Sequence, residues 1–266
     1  MPTPNYEQIQ SFGNVSRKLI QAAINEFMRL YDESMSVDEI VSLMSTVGRK
    51  YGLLGSELGA QWYDLCSKLA NVDAEPAELK PLAADATQKR AVWYLENSTS
   101  SQQAIASYFH NVIQESIRTT GSDNLWRDYK RGIVSGKWAR VPIGDTCAFC
   151  IMLASQGAWY VSEESALGKE AGHYHDGCDC IAVYHADPNN IPNYPDLIRY
   201  KEMYYDAENA RIANENGTQA YDDDLQERID RARAQHRQSV EDGETDVPWS
   251  RTNETLIVMR YQNHLK

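Results

Sequence analysis

Residues 36–69 read SVDEIVSLMSTVGRKYGLLGSELGAQWYDLCSKL, and this stretch decides the fold class. Its start, Ser36-Val-Asp-Glu39, is a capping box, in which serine and glutamate side chains satisfy free backbone N–H groups at a helix start. Apolar residues then recur every three or four positions over about eight turns: Ile40, Met44, Val47, Tyr51, Leu54, Leu58, Trp62, Leu65 and Leu69. The pattern predicts one long helix, or two that break at Gly52 or Gly55, with Cys66 as a small core residue.

Further helical patterns flank this stretch on both sides. A first helix should end near Asp32, and it carries a buried stripe of Val15, Leu19, Ala23 and Phe27. Prolines at 76 and 81 predict a connection, because the residue before a proline is disfavoured in a helix. Residues 82–95 and 104–117 then predict two more helices. The sequence therefore predicts an N-terminal α-helical domain over residues 1–135, built as a helical bundle.

Past Gly121 the pattern changes from helical to short runs of β-branched and aromatic residues. Such runs at 138–141, 158–161 and 181–184 predict strands of a small sheet. Residues 147–156 predict one helix, for which Gly157 is the C-terminal stop. These elements predict a small α+β Cys/His-rich domain over residues 136–187. It has too few apolar residues for a large core, which is the condition under which small domains use metals or disulfides.

Residues 188–266 predict an acidic, helical or partly disordered C-terminal tail. Helices over 197–213 and 225–239 lack a wide apolar stripe, so they are expected to be exposed arms or partly disordered. The apolar segment 256–261 is expected to close on a neighbour. The predicted fold class is thus mainly α: an N-terminal helical bundle, a small α+β Cys/His knot domain and an acidic helical C-terminal tail.

Two short clusters of cysteine and histidine lie in the second half of the chain, namely Cys147-x-x-Cys150 and His173-x-His175-x-x-Cys178-x-Cys180. Paired soft ligands separated by a loop-sized gap are typical of a site that binds one tetrahedral zinc ion. Six side chains are available and zinc needs four, so at least two have another role. Two disulfides, or reduced thiols packed as small apolar groups, are the alternatives, although a reducing cytoplasm disfavours disulfides.

The charge of the chain is acidic overall and uneven along its length. A net charge of −12 argues against a protein that coats nucleic acid over its whole surface. Residues 86–140 nevertheless carry eight Lys/Arg against four Asp/Glu, whereas residues 141–266 carry eleven against twenty-two. The basic segment is either a docking patch for DNA or an acidic partner, or a solvated helix face. Its basic residues are Arg127, Lys130, Arg131, Lys137 and Arg140.

Two features bear on the compartment. The chain has no run of eighteen apolar residues, and its N-terminus lacks the basic start and apolar stretch of a secretion signal. We therefore expect a soluble protein that is made in the cytoplasm and does not contact a membrane.

The sequence motifs around the cysteines resemble those of one known protein family. The stretch RVPIGDTCAFCIMLASQG at 140–157, Trp159-Tyr160, and YHDGCDC at 174–180 resemble the phage Mu protein F-like family of minor head proteins, in the same order. The resemblance covers about residues 138–186. It implies a low-copy virion protein that is needed for head morphogenesis and contacts portal and capsid proteins. It also implies a structural zinc ion at Cys147, Cys150, His175, Cys178 and Cys180, with His173 optional.

Enzymatic alternatives are less complete in the sequence. A zinc deaminase needs an upstream His-x-Glu that is absent here, and a thioredoxin-like pair needs a βαβ unit. A nucleophilic pair of Cys178 and His175 lacks an orienting third group. A hydrolase, nuclease, transferase or toxin could use the His173/His175 region, but these residue types are common in polar turns. A non-enzymatic assembly protein, with no small-molecule substrate evident, is favoured over a virion-carried enzyme or toxin.

Overall fold

The structure, a computed structural model, describes residues 4–132, 137–142, 146–157, 180–185, 195–243 and 245–265. In these ranges the chain forms eight helices and two strands, and it is mainly α-helical as the sequence predicts. In order the elements are α1 (Tyr6–Leu30), α2 (Val37–Leu69), α3 (Ala84–Asn97), α4 (Ser101–Lys130), β1 (Lys137–Pro142), α5 (Ala148–Ser155), β2 (Cys180–His185), α6 (Pro195–Glu215), α7 (Asp223–Glu241) and α8 (Arg251–Asn263). None of the helices described is long and apolar enough to cross a membrane.

The chain divides into two compact units. The N-terminal unit contains residues 1–145 and 158–192, and the C-terminal unit contains residues 146–157 and 193–266. Helix α5 therefore belongs with the C-terminal helices, whereas β1 and β2 belong with the N-terminal bundle. This division differs from the predicted boundaries, and a separate small Cys/His knot domain is not confirmed.

Helices α1–α4 form the bundle of the N-terminal unit. The predicted capping box at Ser36 and Glu39 is present at the start of α2, and Asn5 with Gln8 forms another at the start of α1. Side chains at most 2% exposed form the core, including Ile9, Phe27, Met44, Phe109 and Ile113. Burying one such side chain contributes about 1.5–3 kcal/mol, so the apolar stripes of these helices hold the bundle together.

The glycines of α2 permit its close approach to α4 and do not break the helix. A Cβ atom on Gly59 would lie 2.2 Å from the carbonyl oxygen of Ile117, and one on Gly55 would lie 2.9 Å from that of Ile113. On the opposite helix, a Cβ on Gly121 would lie 3.3 Å from the carbonyl oxygen of Gly59. Helix α4 continues through Gly121 to Lys130, beyond the predicted end at residue 117.

Strands β1 and β2 form a two-stranded antiparallel sheet. Lys137 pairs with His185 at one end, and Pro142 pairs with Cys180 at the other. The predicted strands at 138–141 and 181–184 are thus confirmed, and the predicted strand at 158–161 lies outside the described residues.

Helices α5–α8 share a hydrophobic core, which corrects the expectation of exposed C-terminal arms. Each helix supplies two buried side chains to it, namely Ala148, Ile151, Met203, Ala207, Leu225, Ile229, Val258 and Met259. A stripe this narrow is hard to recognise in any one helix, but four such stripes together exclude water. The apolar segment at 256–261 lies in α8 and packs within this unit.

Charged side chains also link α6 to α8. Arg211 is 3% exposed and bonds Glu208 and Glu215, each at 2.7 Å. The Thr255 hydroxyl donates to Glu208 at 2.5 Å. The hydrogen bond from Arg211 is the main cause that lowers the pKa of Glu208.

Candidate functional site

Cys147 and Cys150 occupy the first turn of α5. Cys147 is the N-cap residue, and its Sγ accepts a hydrogen bond from the backbone N–H of Cys150 at 3.4 Å. Cys147 is partly exposed and Cys150 is 2% exposed. The arrangement confirms that the two thiols share one helical turn, at the positive end of the helix dipole, where thiolates are favoured.

The helix that carries these cysteines is firmly placed. Ala148 and Ile151 belong to the core of the C-terminal unit, and the Thr146 hydroxyl lies 3.4 Å from that of Tyr200. The helix ends where predicted, because Gly157 adopts a φ of +64°, a conformation that favours glycine. The thiol pair therefore lies at the start of a helix that is packed into the core of the C-terminal unit.

Cys180 lies on β2 in the N-terminal unit. Its side chain is 1% exposed, and it is the partner of Pro142 in the sheet. His173, His175 and Cys178 lie outside the described residues. Cys66 is 3% exposed in α2, and burial raises the pKa of its thiol, as expected of a core cysteine.

The donor atoms of α5 fit half of a zinc site. Two thiol sulfurs in one turn, with a backbone N–H donated to one of them, match the thiolate ligands that zinc prefers. Within the described part of the chain, no group of three or more His, Cys, Asp or Glu side chains is placed to hold a metal ion. The five-residue ligand set stays a prediction, since two of its members are not described.

The predicted basic patch is largely committed to internal contacts. The Arg127 guanidinium donates to Asp128 and to the Tyr63 hydroxyl, both at 3.0 Å, and to the Glu75 carbonyl oxygen at 3.1 Å. Arg131 bonds the Glu75 carboxylate at 2.5 Å, and Arg140 is 1% exposed. The guanidinium of Arg127 therefore joins α4 to α2 and to the segment that follows α2.

Asp128 explains why Arg127 is held inside. The carboxylate is fully buried, and it accepts hydrogen bonds from both Tyr63 and Arg127. Burial is the main cause that raises the pKa of Tyr63, and its bond to Asp128 adds to the effect. A buried carboxylate needs such partners, so Arg127 has a structural role that its basic character in the sequence does not indicate.

A polar row on α4 fixes the connecting segment (residues 72–83), which has no regular secondary structure. Backbone N–H groups of Glu78, Lys80 and Leu82 donate to side-chain oxygens of Asn124 at 2.9 Å, Thr120 at 3.0 Å and Ser116 at 3.3 Å. The contacts of this polar row were not predicted from the sequence. Its signal was the i, i+4, i+8 spacing of three short polar residues within a buried helix.

Most of the chain matches the model of one protein family. The model of the family described as VG15 protein matches residues 3–207 of this chain. The chain belongs to the VG15 protein family. The match includes the helical bundle and residues 138–186, which contain the cysteine motifs.

Two proteins that are similar to this chain come from phages. The Gene 15 protein of Mycobacterium phage D29 is 34% identical, and the Gene 15 protein of Mycobacterium phage L5 is 33% identical. Each match covers 28% of this chain and 37% of the relative, so the matched part spans just over a third of these curated relatives. These matches indicate a bacteriophage protein. They do not by themselves show membership of the Mu protein F-like family. No solved structure matches the chain.

Proposed function

We propose that this VG15 family protein is a minor head protein of a tailed phage or prophage, needed for head morphogenesis and associated with the portal. The proposal rests on the sequence motifs between Arg140 and Cys180, which occur in the same order as in the Mu protein F-like family. The relatives of the chain are phage gene products. The protein would be made in the bacterial cytoplasm and end in the virion, in contact with portal and capsid proteins.

The helical architecture supports an assembly role. The described residues form two compact units. Several helices of these units bury one face and expose apolar side chains on another. Helix faces of this kind can dock on a partner without any catalytic group. The geometry also supports a zinc ion as a stabilising part of the protein, to which Cys147 and Cys150 would supply two thiolates.

A deletion of the gene in the phage that encodes it tests the proposal. We expect misassembled, unstable or poorly infectious particles, and rescue by the wild-type gene supplied in trans. Pull-down of tagged portal protein from infected cells should recover the protein. Normal heads from the deletion, together with an enzymatic activity that His175→Ala abolishes in folded protein, would favour the virion-carried enzyme or toxin instead.

The proposed DNA contact through Arg127, Lys130 and Arg131 has a sharper test. Lys130 lies on the exposed end of α4, whereas Arg127 is engaged with Asp128. Lys130→Glu should weaken incorporation into particles without lowering the thermal stability of the protein. Arg127→Glu should unfold the protein partly, because it places two carboxylates side by side in a buried position. Unchanged incorporation of Lys130→Glu would remove this contact from the proposal.

A further inference from the structure

A cavity of about 440 Å³ opens in the C-terminal unit, along the C-terminal half of α7 and beside the segment that precedes α8. It is lined by Asp230, Arg233, His236, Arg237 and Trp249. Its volume lies within the range of small-molecule sites, about 300–1,000 Å³. The lining combines a large aromatic ring with cationic side chains, and none of these residues takes part in the proposed head or zinc functions.

One of the two arginines is already neutralised. Arg233 bonds the buried Glu254 carboxylate at 2.6 Å and lies 3.9 Å from Asp230. Arg237 is exposed and forms no ion pair with any residue that the structure describes. The positive charge that the cavity can offer to a ligand is therefore mainly that of Arg237.

The aromatic wall is held in place by its neighbours. The Trp249 ring lies 5.7 Å from the ring of His236 at an angle of 60°, and the Arg233 guanidinium lies 5.9 Å from the Trp249 ring centre. His236 Nε2 is buried and has no hydrogen-bond partner among the described residues. Because Glu254 fixes Arg233, the indole is positioned before any ligand arrives, and a flat ring can pack against it at a low cost in entropy.

We propose that this cavity binds a single nucleotide, with its base packed against Trp249 and its phosphate paired with Arg237. A base stacks on an aromatic side chain, and arginine binds phosphate oxygens in a bidentate manner. The C-terminal unit carries fifteen Asp/Glu against ten Lys/Arg, so a long strand with many phosphates is repelled more strongly than a single phosphate group is. The proposal does not depend on the head assembly role.

Calorimetric titration of the full-length protein with dAMP at low salt tests the site. We expect one dAMP per chain. Trp249→Leu and Arg237→Gln should each weaken binding by about tenfold or more, the scale of one lost stacking or charged contact. Arg237 is exposed, so its substitution leaves the fold intact, and circular dichroism checks both variants. Trp93→Leu, at a half-exposed tryptophan of α3, and Arg231→Gln, at an exposed arginine of α7 paired with Glu227, are the matched controls and should bind as the wild type does.

Three further titrants separate the contributions of base and phosphate. Deoxyadenosine and inorganic phosphate should each bind more weakly than dAMP, and an oligomer of eight deoxyadenylates should bind no more tightly per site than dAMP. The proposal is overturned if millimolar dAMP does not bind, or if both variants bind it normally. It is equally overturned if phosphate alone binds as tightly as dAMP, which indicates a simple anion site, or if the oligomer binds much more tightly, which indicates a single-strand site.

Discussion

At the scale of single residues, the missing side chain of Gly59 sets the distance between α2 and α4. An added Cβ would lie 2.2 Å from a backbone carbonyl oxygen, which cannot move without shifting the whole helix. We predict that Gly59→Ala lowers the free energy of unfolding by about 1–3 kcal/mol, as overpacking does. Chemical denaturation measures the loss.

Gly52→Ala is the matched control on the same helix. Its Cβ would lie 3.2 Å from the Ser116 hydroxyl and 3.5 Å from a Val112 methyl group, and both are side-chain atoms that can yield. Alanine also has the higher helix propensity, so this substitution should change stability by less than about 1 kcal/mol. Equal losses in the two variants would contradict the close backbone contact.

We predict that Glu208 makes the C-terminal unit sensitive to acid. Its pKa is lowered in the folded protein, chiefly by the bond from Arg211, so the folded state binds the proton more weakly than the unfolded state does. The stabilisation is therefore complete above the ordinary glutamate pKa of 4.5 and is lost as the pH falls below it, through the lowered value. Glu208→Gln should lower stability at neutral pH and flatten its decline between about pH 5 and 3.

Thermal melts over this pH range provide the measurement. Glu227→Gln is the control, since Glu227 pairs with Arg231 at the surface and both side chains are more than 60% exposed. A surface pair of this kind contributes little to stability. A Glu208→Gln profile that runs parallel to that of the wild type would show that this carboxylate does not account for the acid response.

From the position of Cys147 and Cys150 in one helical turn we predict a bound zinc ion. Protein purified under reducing conditions should contain about one zinc per chain, and Cys150→Ser should lose most of it. Cys66→Ala, which removes a buried thiol from α2, should keep the metal. Atomic absorption provides the measurement: a folded wild-type protein that contains no metal after purification under reducing conditions would rule out the site.

At the scale of elements, the connecting segment (residues 72–83) is ordered by side chains of α4. We predict that the amide protons of Glu78 and Lys80 exchange slowly with solvent, although the segment is neither helix nor strand. Asn124→Ala should speed exchange at Glu78, because it removes the acceptor of that N–H group. Asn97→Ala, at the exposed end of α3, should leave exchange at both positions unchanged.

The elements that sequence alone predicted well are those with local signals. The capping box at Ser36, the stop at Gly157 and the two short strands each depend on residues close in sequence. The end of α4 was predicted too early, because a glycine that lowers helix propensity there lies against another helix. Likewise, the structural role of Arg127 depends on the buried Asp128 and on Tyr63 from a different helix, which no local pattern shows.

At the scale of the whole molecule, the two units join segments that are distant in the chain. Helix α5 packs with α6 and α8, and the strands on either side of it in sequence pair with each other in the N-terminal unit. The change of sequence pattern past Gly121 led to a predicted domain boundary between residues 135 and 136, whereas the segments that share a core are set by long-range packing. The position of Cys147 and Cys150 in one helical turn was predictable from their spacing. The cavity beside α7 was not predictable, because its residues are ordinary members of a charged helix and a loop.

We propose that this VG15 family protein is a minor component of the phage head. Quantitative mass spectrometry of purified virions and proheads, with the major capsid and portal proteins as internal standards, tests this role. We expect the protein in both particles, in far fewer copies than the major capsid protein. If it is abundant in infected cells but absent from both virions and proheads, it is not a head protein.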